Sequence, residues 1–369
     1  MSAVQLEIQA IAVLAALACA LPGVFLVLRR MSLMSDAISH SILLGIVLAF
    51  FVTRTIQSPL LIVGAAMTGV ATVWLVEVLT HTRLVREDAA IGLVFPVLFS
   101  IAVILISRLP SGVHLDSDVV LLGELAFAPY ERWFAFGWDL GPKSMWMMSI
   151  VLLLNTAFVV VFFKELKVAT FDPGLAAAIG ISPVVVHYAL MSVVSVTAVA
   201  AFDAVGAVLV VALMIAPPST AYLLTDRLRT MLLLSAAASA VSAVAGFWLA
   251  HWLDASIAGS MATAAGVLFA IALLFAPERG LVAAARRRER RRWEFAHTML
   301  AIHLFNHEGS PDAEQESAID HLGESLRWDG GFRQRVVAGA SRRGLIERSG
   351  KSLRLTDEGR DLARRAVVG

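Results

Sequence analysis

The stretch Met31-Ser-Leu-Met-Ser-Asp36-Ala-Ile-Ser-His40-Ser-Ile-Leu-Leu-Gly45 sets a carboxylate and an imidazole four residues apart inside an otherwise apolar run. On a helix that spacing is ~40° of rotation and ~6 Å of rise, so both side chains look along one face. An ionised Asp costs several kcal/mol in hydrocarbon, so Asp36 is expected to face a bundle interior, a water-filled path or a partner charge. Asp plus His can hold a divalent cation, the imidazole suiting transition ions and the carboxylate harder ones. Two ligands are too few for a tight site. A two-fold dimer with this helix beside its axis would supply the pair twice, which describes a transit site or gate. The plainer alternative is an internal Asp–His hydrogen bond that holds helices together.

Other polar residues in apolar runs read as weaker candidates. Asp203 falls in a short external connection, with an ion-pathway role as the alternative. Glu77 is expected to snorkel to the cytoplasmic interface. His187 and His251 read as packing histidines, and Asn155 as helix–helix glue.

The elements that must position these groups follow from composition. The chain has 369 residues, 58% hydrophobic and 16% charged, with a mean hydropathy of +0.78. A soluble domain carries about 25% charged residues, so the balance argues for a polytopic membrane protein. Residues 1–285 hold 13 Lys and Arg and 16 Asp and Glu, against 17 and 13 in residues 286–369, so a greasy body carries a polar tail. The single cysteine, Cys19, excludes a disulfide framework and a thiolate cluster. Arg29-Arg30 and further apolar chain follow the first segment, so it reads as a retained span rather than a cleaved signal.

A span needs roughly 20 mostly apolar residues. The chain divides into nine: 8–28, 33–52, 60–80, 89–108, 144–163, 184–202, 204–224, 231–253 and 257–276. Connections after odd spans carry Arg29, Arg30, Arg83, Arg86, Lys164, Lys167, Arg227, Arg229 and the run Arg286 to Arg292; those after even spans carry Arg54, Arg132, Lys143 and the boundary residue Arg108. The positive-inside rule then places the N-terminus outside and the C-terminus in the cytoplasm of a bacterial-type inner or plasma membrane. The segment 109–143, with Asp116, Asp118, Glu124, Glu131 and Asp139, is expected outside, either as a solvated loop or as a docking and cation-attracting surface.

Several ordered motifs carry a resemblance: Asp36-Ala-Ile-Ser-His40, Arg86-Glu-Asp88-Ala-Ala-Ile-Gly92, Phe171-Asp-Pro-Gly-Leu-Ala-Ala-Ala-Ile-Gly180, and Phe202-Asp-Ala-Val-Gly206 running into Ala216-Pro217-Pro-Ser-Thr-Ala221. Together, over residues 8–276, they resemble the membrane permease of ABC-type divalent metal importers, the manganese/zinc/iron group. The resemblance implies a homodimeric or sibling-paired permease that takes metal from an external binding protein and releases it inward. It implies no permanently bound cofactor, only the transported Mn2+, Fe2+ or Zn2+, and ATP on a separate ATPase subunit. The family's metal-gate residues match Asp36 and His40, and its ATPase-coupling segment matches Phe171, Asp172, Pro173 and Gly180. The form at 202–206 is similar to the manganese/iron branch.

No Gly-x4-Gly-Lys-Ser/Thr is present, and the run from Gly344 to Gly350-Lys351-Ser352 has five intervening residues instead of four. The chain is therefore expected to be a transport subunit, not an enzyme.

The domain reading is a permease over 1–280, a basic linker over 281–292 and a cytoplasmic winged-helix-like α+β domain over 293–369, similar to that of metal-responsive regulators. Its expected elements are helices at 294–305, 313–327 and 331–343, a hairpin within 344–355 and a last helix capped by Thr356. From 293 onward 11 basic residues face 12 acidic ones, a balance that disfavours nucleic acid. The basic run fits anionic lipid. His297, His303, His307 and His321 read as solvated histidines, with metal sensing as the alternative. Two further function classes remain open: an ion-coupled secondary metal transporter, and a membrane-tethered metal-responsive regulator.

Overall fold

The structure is a computed structural model that describes residues 2–55, 58, 60–107, 125–135, 138–350 and 352–368. The chain divides into two compact units, Met1–Gly280 and Leu281–Gly369.

Among the described residues, nine helices of the first unit are long and apolar enough to cross a membrane. They are α1 (Ala3–Leu28), α2 (Ser32–Thr53), α3 (Leu60–His81), α4 (Glu87–Ile106), α5 (Lys143–Val161), α8 (Pro183–Val205), α9 (Ala207–Leu224), α10 (Leu228–Leu253) and α11 (Ile257–Phe275). Two shorter helices, α6 (Phe163–Phe171) and α7 (Pro173–Ala178), join α5 to α8. The hydropathy cut thus agrees with the observed spans to within a few residues at most ends. It differs at the sixth-to-seventh junction, where α8 continues through Asp203 and the chain breaks at Gly206, whose φ of +82° favours glycine. Asp203 is therefore a helical residue of the last turn of α8, not part of a connection.

Helices α1, α2, α8 and α9 form the inside of the unit, whereas α4, α5 and α11 bury far less of their length and present Leu93, Val97, Leu153, Leu154, Val267 and Ile271 outward. With apolar solvent on the outside, close packing and interhelical hydrogen bonds hold such a bundle together. Helices α2 and α3 meet through Gly45 and Gly64: a Cβ on Gly45 would lie 2.2 Å from the Gly64 carbonyl oxygen. Thr72 donates to Ser41 at 2.7 Å across the same pair. Asn155 of α5 donates to the Ala18 carbonyl of α1 and to Thr197 of α8, so it does join helices.

In the 109–143 segment, Asp116, Asp118 and Glu124 lie outside the described residues. The described part carries a short 3-10 turn (Ala128–Tyr130) and an antiparallel hairpin of β1 (Arg132–Ala135) and β2 (Trp138–Pro142). Arg132 ties this hairpin to the start of α1, pairing with Glu7 at 3.1 Å and with Asp139 at 2.6 Å. The Gly141 N–H and the Arg132 guanidinium hold the Asp139 carboxyl below its usual range.

The second unit packs α12 (Leu281–His307), α13 (Ala313–Glu316), α14 (Leu322–Ser325), α15 (Gly330–Arg342) and α16 (Asp357–Val368) with an antiparallel hairpin, β3 (Ile346–Ser349) and β4 (Ser352–Leu355). Its core includes Leu300, Leu304, Val336, Ile346, Leu353 and Ala363. Residues 281–292 are helical, forming the first turns of the continuous helix α12: Arg is a good helix former and nothing in the run stops the helix. One expectation is corrected here. The helix expected over 313–327 is two single turns, α13 and α14. Thr356 does cap α16, accepting the Gly359 N–H at 3.1 Å.

The glycine contact gives a test of the bundle. Gly45→Val is expected to lower stability by about 1–3 kcal/mol or more, whereas Gly266→Ala, with open space where its Cβ would sit, leaves it unchanged. Thermal unfolding of the detergent-purified chain reads both.

Candidate functional site

Helix α2 is packed on most of its circumference against α3, α4, α8 and α9. Met34, Ser35, Ala37, Ile38, Ser39, Ser41 and Ile42 are buried, while Leu33, Asp36 and His40 are not. Those three positions, spaced by three and four, form one stripe. Serines on the packed sides satisfy themselves within the helix: Ser35 donates to the Ser32 carbonyl and Ser39 to that of Ser35. The stripe thus carries the two groups of α2 that can ionise.

His40 Nε2 and Asp36 Oδ1 lie 3.4 Å apart, with 34% and 39% of their side chains exposed. Phe95 of α4 stacks on the imidazole at 5.7 Å between centroids, and Phe99 meets it edge-on at 6.0 Å. The aromatic walls fix the ring and leave the pair open on one side. A carboxylate and an imidazole so placed can each offer one ligand atom to a cation. Asp203 is exposed near the far end of α8, close enough to Lys143 and Glu131 to interact with them electrostatically. It shares an end of the bundle with the hairpin.

The opposite end carries the coupling segment expected at 171–180. Asp172 accepts the Leu175 N–H at 2.9 Å as N-cap of α7, and Pro173 occupies its first turn. At the other end Ile181 N–H bonds the Ala176 carbonyl and Gly180 N–H that of Ala177, with Gly180 at φ +86°. This is a Schellman stop, and it requires the glycine conformation. Phe171, Leu175 and Ile179 stand out from the segment, each at least half exposed.

Behind it lies a polar knot absent from the sequence reading. Arg29, at the end of α1, donates to Thr170 of α6 at 3.2 Å and approaches His187 of α8 at 3.5 Å. His187 Nε2 is 2.9 Å from Glu77 Oε1, and Tyr188 donates to the other oxygen of the same carboxylate. Glu77 and His187 are thus partners of one another rather than isolated polar residues. The knot joins α1, α3, α6 and α8. Its members lie far apart in the chain, Tyr188 111 residues from Glu77 and Thr170 141 from Arg29, so no local pattern reports it.

The first unit is thus a bundle of nine helices long and apolar enough to cross a membrane, among the described residues, with a carboxylate–imidazole pair on an inner helix and a short capped helix at one end. The chain belongs to the ABC 3 transport family, whose pattern matches residues 4–276. It is 48% identical over 358 residues to the zinc transport system membrane protein TroD of Treponema pallidum (strain Nichols), covering 97% of both chains. It is 50% identical over 270 residues to the manganese transport system membrane protein MntD of Bacillus subtilis (strain 168), 73% of this chain and 91% of that one. A solved structure, PsaBC from Streptococcus pneumoniae in complex with Fab, aligns with a TM-score of 0.63 and 26% identity over 76% of this chain and 94% of that one. The chain is thus a membrane permease of a metal importer. The TroD match necessarily includes most of the tail, whereas the MntD match is about as long as the first unit. The relatives' names cover both zinc and manganese, so they do not assign one transported metal.

The knot predicts a graded response. Glu77→Ala strips the acceptor from Tyr188 and the nearby carboxylate from His187 and is expected to destabilise by about 1–3 kcal/mol, while His251→Ala, on an exposed position, has little effect. Unfolding midpoints of the purified variants compare the two.

Proposed function

We propose that this permease moves a divalent first-row metal, manganese first with iron or zinc as alternatives, from an external binding protein to the cytoplasm, driven by ATP hydrolysis on a separate ATPase subunit. The observation that carries the reading is the open stripe of α2. An inner helix whose first half is packed on its other sides leaves partly uncovered the two residues that can ligate a cation.

A second permease subunit, identical or sibling, supplies the other ligands. Brought together about a two-fold axis, two Asp36–His40 pairs give two carboxylates and two imidazoles around one ion. Two carboxylates neutralise the charge of a divalent cation, which offsets much of the cost of taking it out of water. Separating the two α2 helices halves the ligand number and releases the ion. Asp203, at the hairpin end, is assigned to the entry path, where its charge draws cations in.

The segment Phe171 to Gly180 is the ATPase dock. Asp172, Pro173 and Gly180 hold α7 rigid, so that Phe171, Leu175 and Ile179 present a fixed apolar face for a groove in the ATPase. The knot of Arg29, Thr170, Glu77 and His187 then transmits a push on α7 into α1, α3 and α8. The basic residues of odd connections put this face in the cytoplasm, with the N-terminus outside and the hairpin facing the binding protein. The tail reads as a cytoplasmic winged-helix domain. The Arg286–Arg292 run binds anionic lipid, and the charge balance of the tail disfavours nucleic acid.

Reconstitution with the ATPase and binding protein tests the reading. Asp36→Ala and His40→Ala are each expected to reduce ATP-dependent manganese uptake to background with assembly intact; normal uptake by both contradicts the gate. Flux through this chain alone, driven by a proton gradient, would instead support a secondary transporter. A separate arm tests docking: Phe171→Asp with Leu175→Asp is expected to abolish co-purification of the ATPase while the permease remains folded.

A further inference from the structure

The second unit contains a cluster that the transport reading does not use. His303 and His307 stand one turn apart near the end of α12, their rings 4.9 Å apart between centroids. Glu316, the last residue of α13, reaches back to them: its Oε2 is 3.3 Å from His303 Nε2. One ligand atom from each of His303, His307 and Glu316 lies within 4.8 Å of the others. A fourth group, His321, places its Nε2 3.0 Å from the other oxygen of Glu316. The side chains of His303, Glu316 and His321 are only 10%, 20% and 24% exposed, so the ligand atoms converge in a recess rather than on open surface.

We propose that this cluster is a second divalent transition-metal site, distinct from the passage in α2, with His303, His307 and Glu316 as ligands and His321 as the fourth ligand or the group that orients Glu316. Two imidazoles at i, i+4 on one helix plus a carboxylate from a second element are a borderline donor set. It suits zinc, iron(II) and manganese(II), and the Irving–Williams order ranks zinc above manganese on it. Ligand atoms about 2.0–2.1 Å from a tetrahedral ion sit about 3.4 Å from one another. His303 Nε2 also meets the Glu316 main-chain carbonyl at 3.1 Å, a contact that the ion would replace.

The structural consequence runs through α13. Ser317, which follows Glu316, accepts the Leu353 N–H of β4 at 2.9 Å, and Ala318 bridges to Ser352. A cation on His303, His307 and Glu316 therefore fastens the end of α12 to the segment that edges the β3–β4 hairpin. Metal occupancy is converted into rigidity of the hairpin, which makes the tail a sensor of the ion the permease delivers. This inference does not depend on the Asp36–His40 gate.

The test uses the full-length chain in detergent, in an Asp36→Ala/His40→Ala background that removes the passage ligands. Zinc binding by equilibrium dialysis and cobalt absorption spectra are expected to show one site in this background. Adding His303→Ala and His307→Ala should weaken it by about 100-fold or more, since even outer-shell partners of a metal are worth 10–100-fold. Glu316→Gln, which keeps the shape of the side chain, should weaken it as well without unfolding the tail. Zinc should also slow hydrogen exchange at Leu353 in the background chain and not in Glu316→Gln. No zinc held by the background chain, or equal zinc held with and without His303, His307 and Glu316, overturns the proposal. Normal metal uptake by the Asp36 and His40 variants would sink the gate and leave this site standing.

Discussion

A charge on a helix inside hydrocarbon must be given something other than lipid to face, and the first unit is organised around that constraint. Asp36 and His40 share the face of α2 that the bundle leaves uncovered, while α3, α4, α8 and α9 cover the others. The glycine contact with α3 and the Phe95 and Phe99 walls hold the helix in one rotation. A turn of α2 about its axis by a single residue, ~100°, would bury a carboxylate among apolar side chains at a cost of several kcal/mol. The rotation is therefore strongly specified, and so is the direction of the pair.

The same economy explains the other end of the bundle. Polar groups at span ends are tied to each other: Arg29 to Thr170, His187 to Glu77, Tyr188 to Glu77. Apolar packing in a membrane is weak in orientation, whereas a hydrogen-bonded knot has one geometry. It converts four separate helix ends into a single block behind the α7 turn. The block leads by way of α8 to α2, the helix that carries Asp36 and His40.

How much of this was legible in the chain depends on whether the signal was local. Spans are defined by runs of apolar residues, so the nine helices and the Asp172–Gly180 turn could be read directly. The junction at 202–206 misled because a lone Asp203 looks like a hydrated connection, while the real break is set by the backbone of Gly206. Residues 281–292 read as a basic run with no stated helix, yet charge does not interrupt a helix and α12 runs through them. Glu77 with His187 joins residues on α3 and α8, far apart in the chain, and no periodicity reports such a pair. In the tail His303, His307 and His321 were named from the sequence as solvated, with metal sensing as the alternative, but Glu316, which meets His303 and His321, arrives through a fold of the chain.

Whether the α2 stripe faces a water-filled passage or lipid is open to direct measurement. The chain's one cysteine, Cys19, is buried and can be replaced, leaving Leu33→Cys as a single thiol on the same face as Asp36 and His40. In the assembled transporter that thiol is predicted to react with a water-soluble, membrane-impermeant reagent and to be protected by manganese. Labelling only by a lipid-soluble reagent, with no protection by metal, would contradict the account.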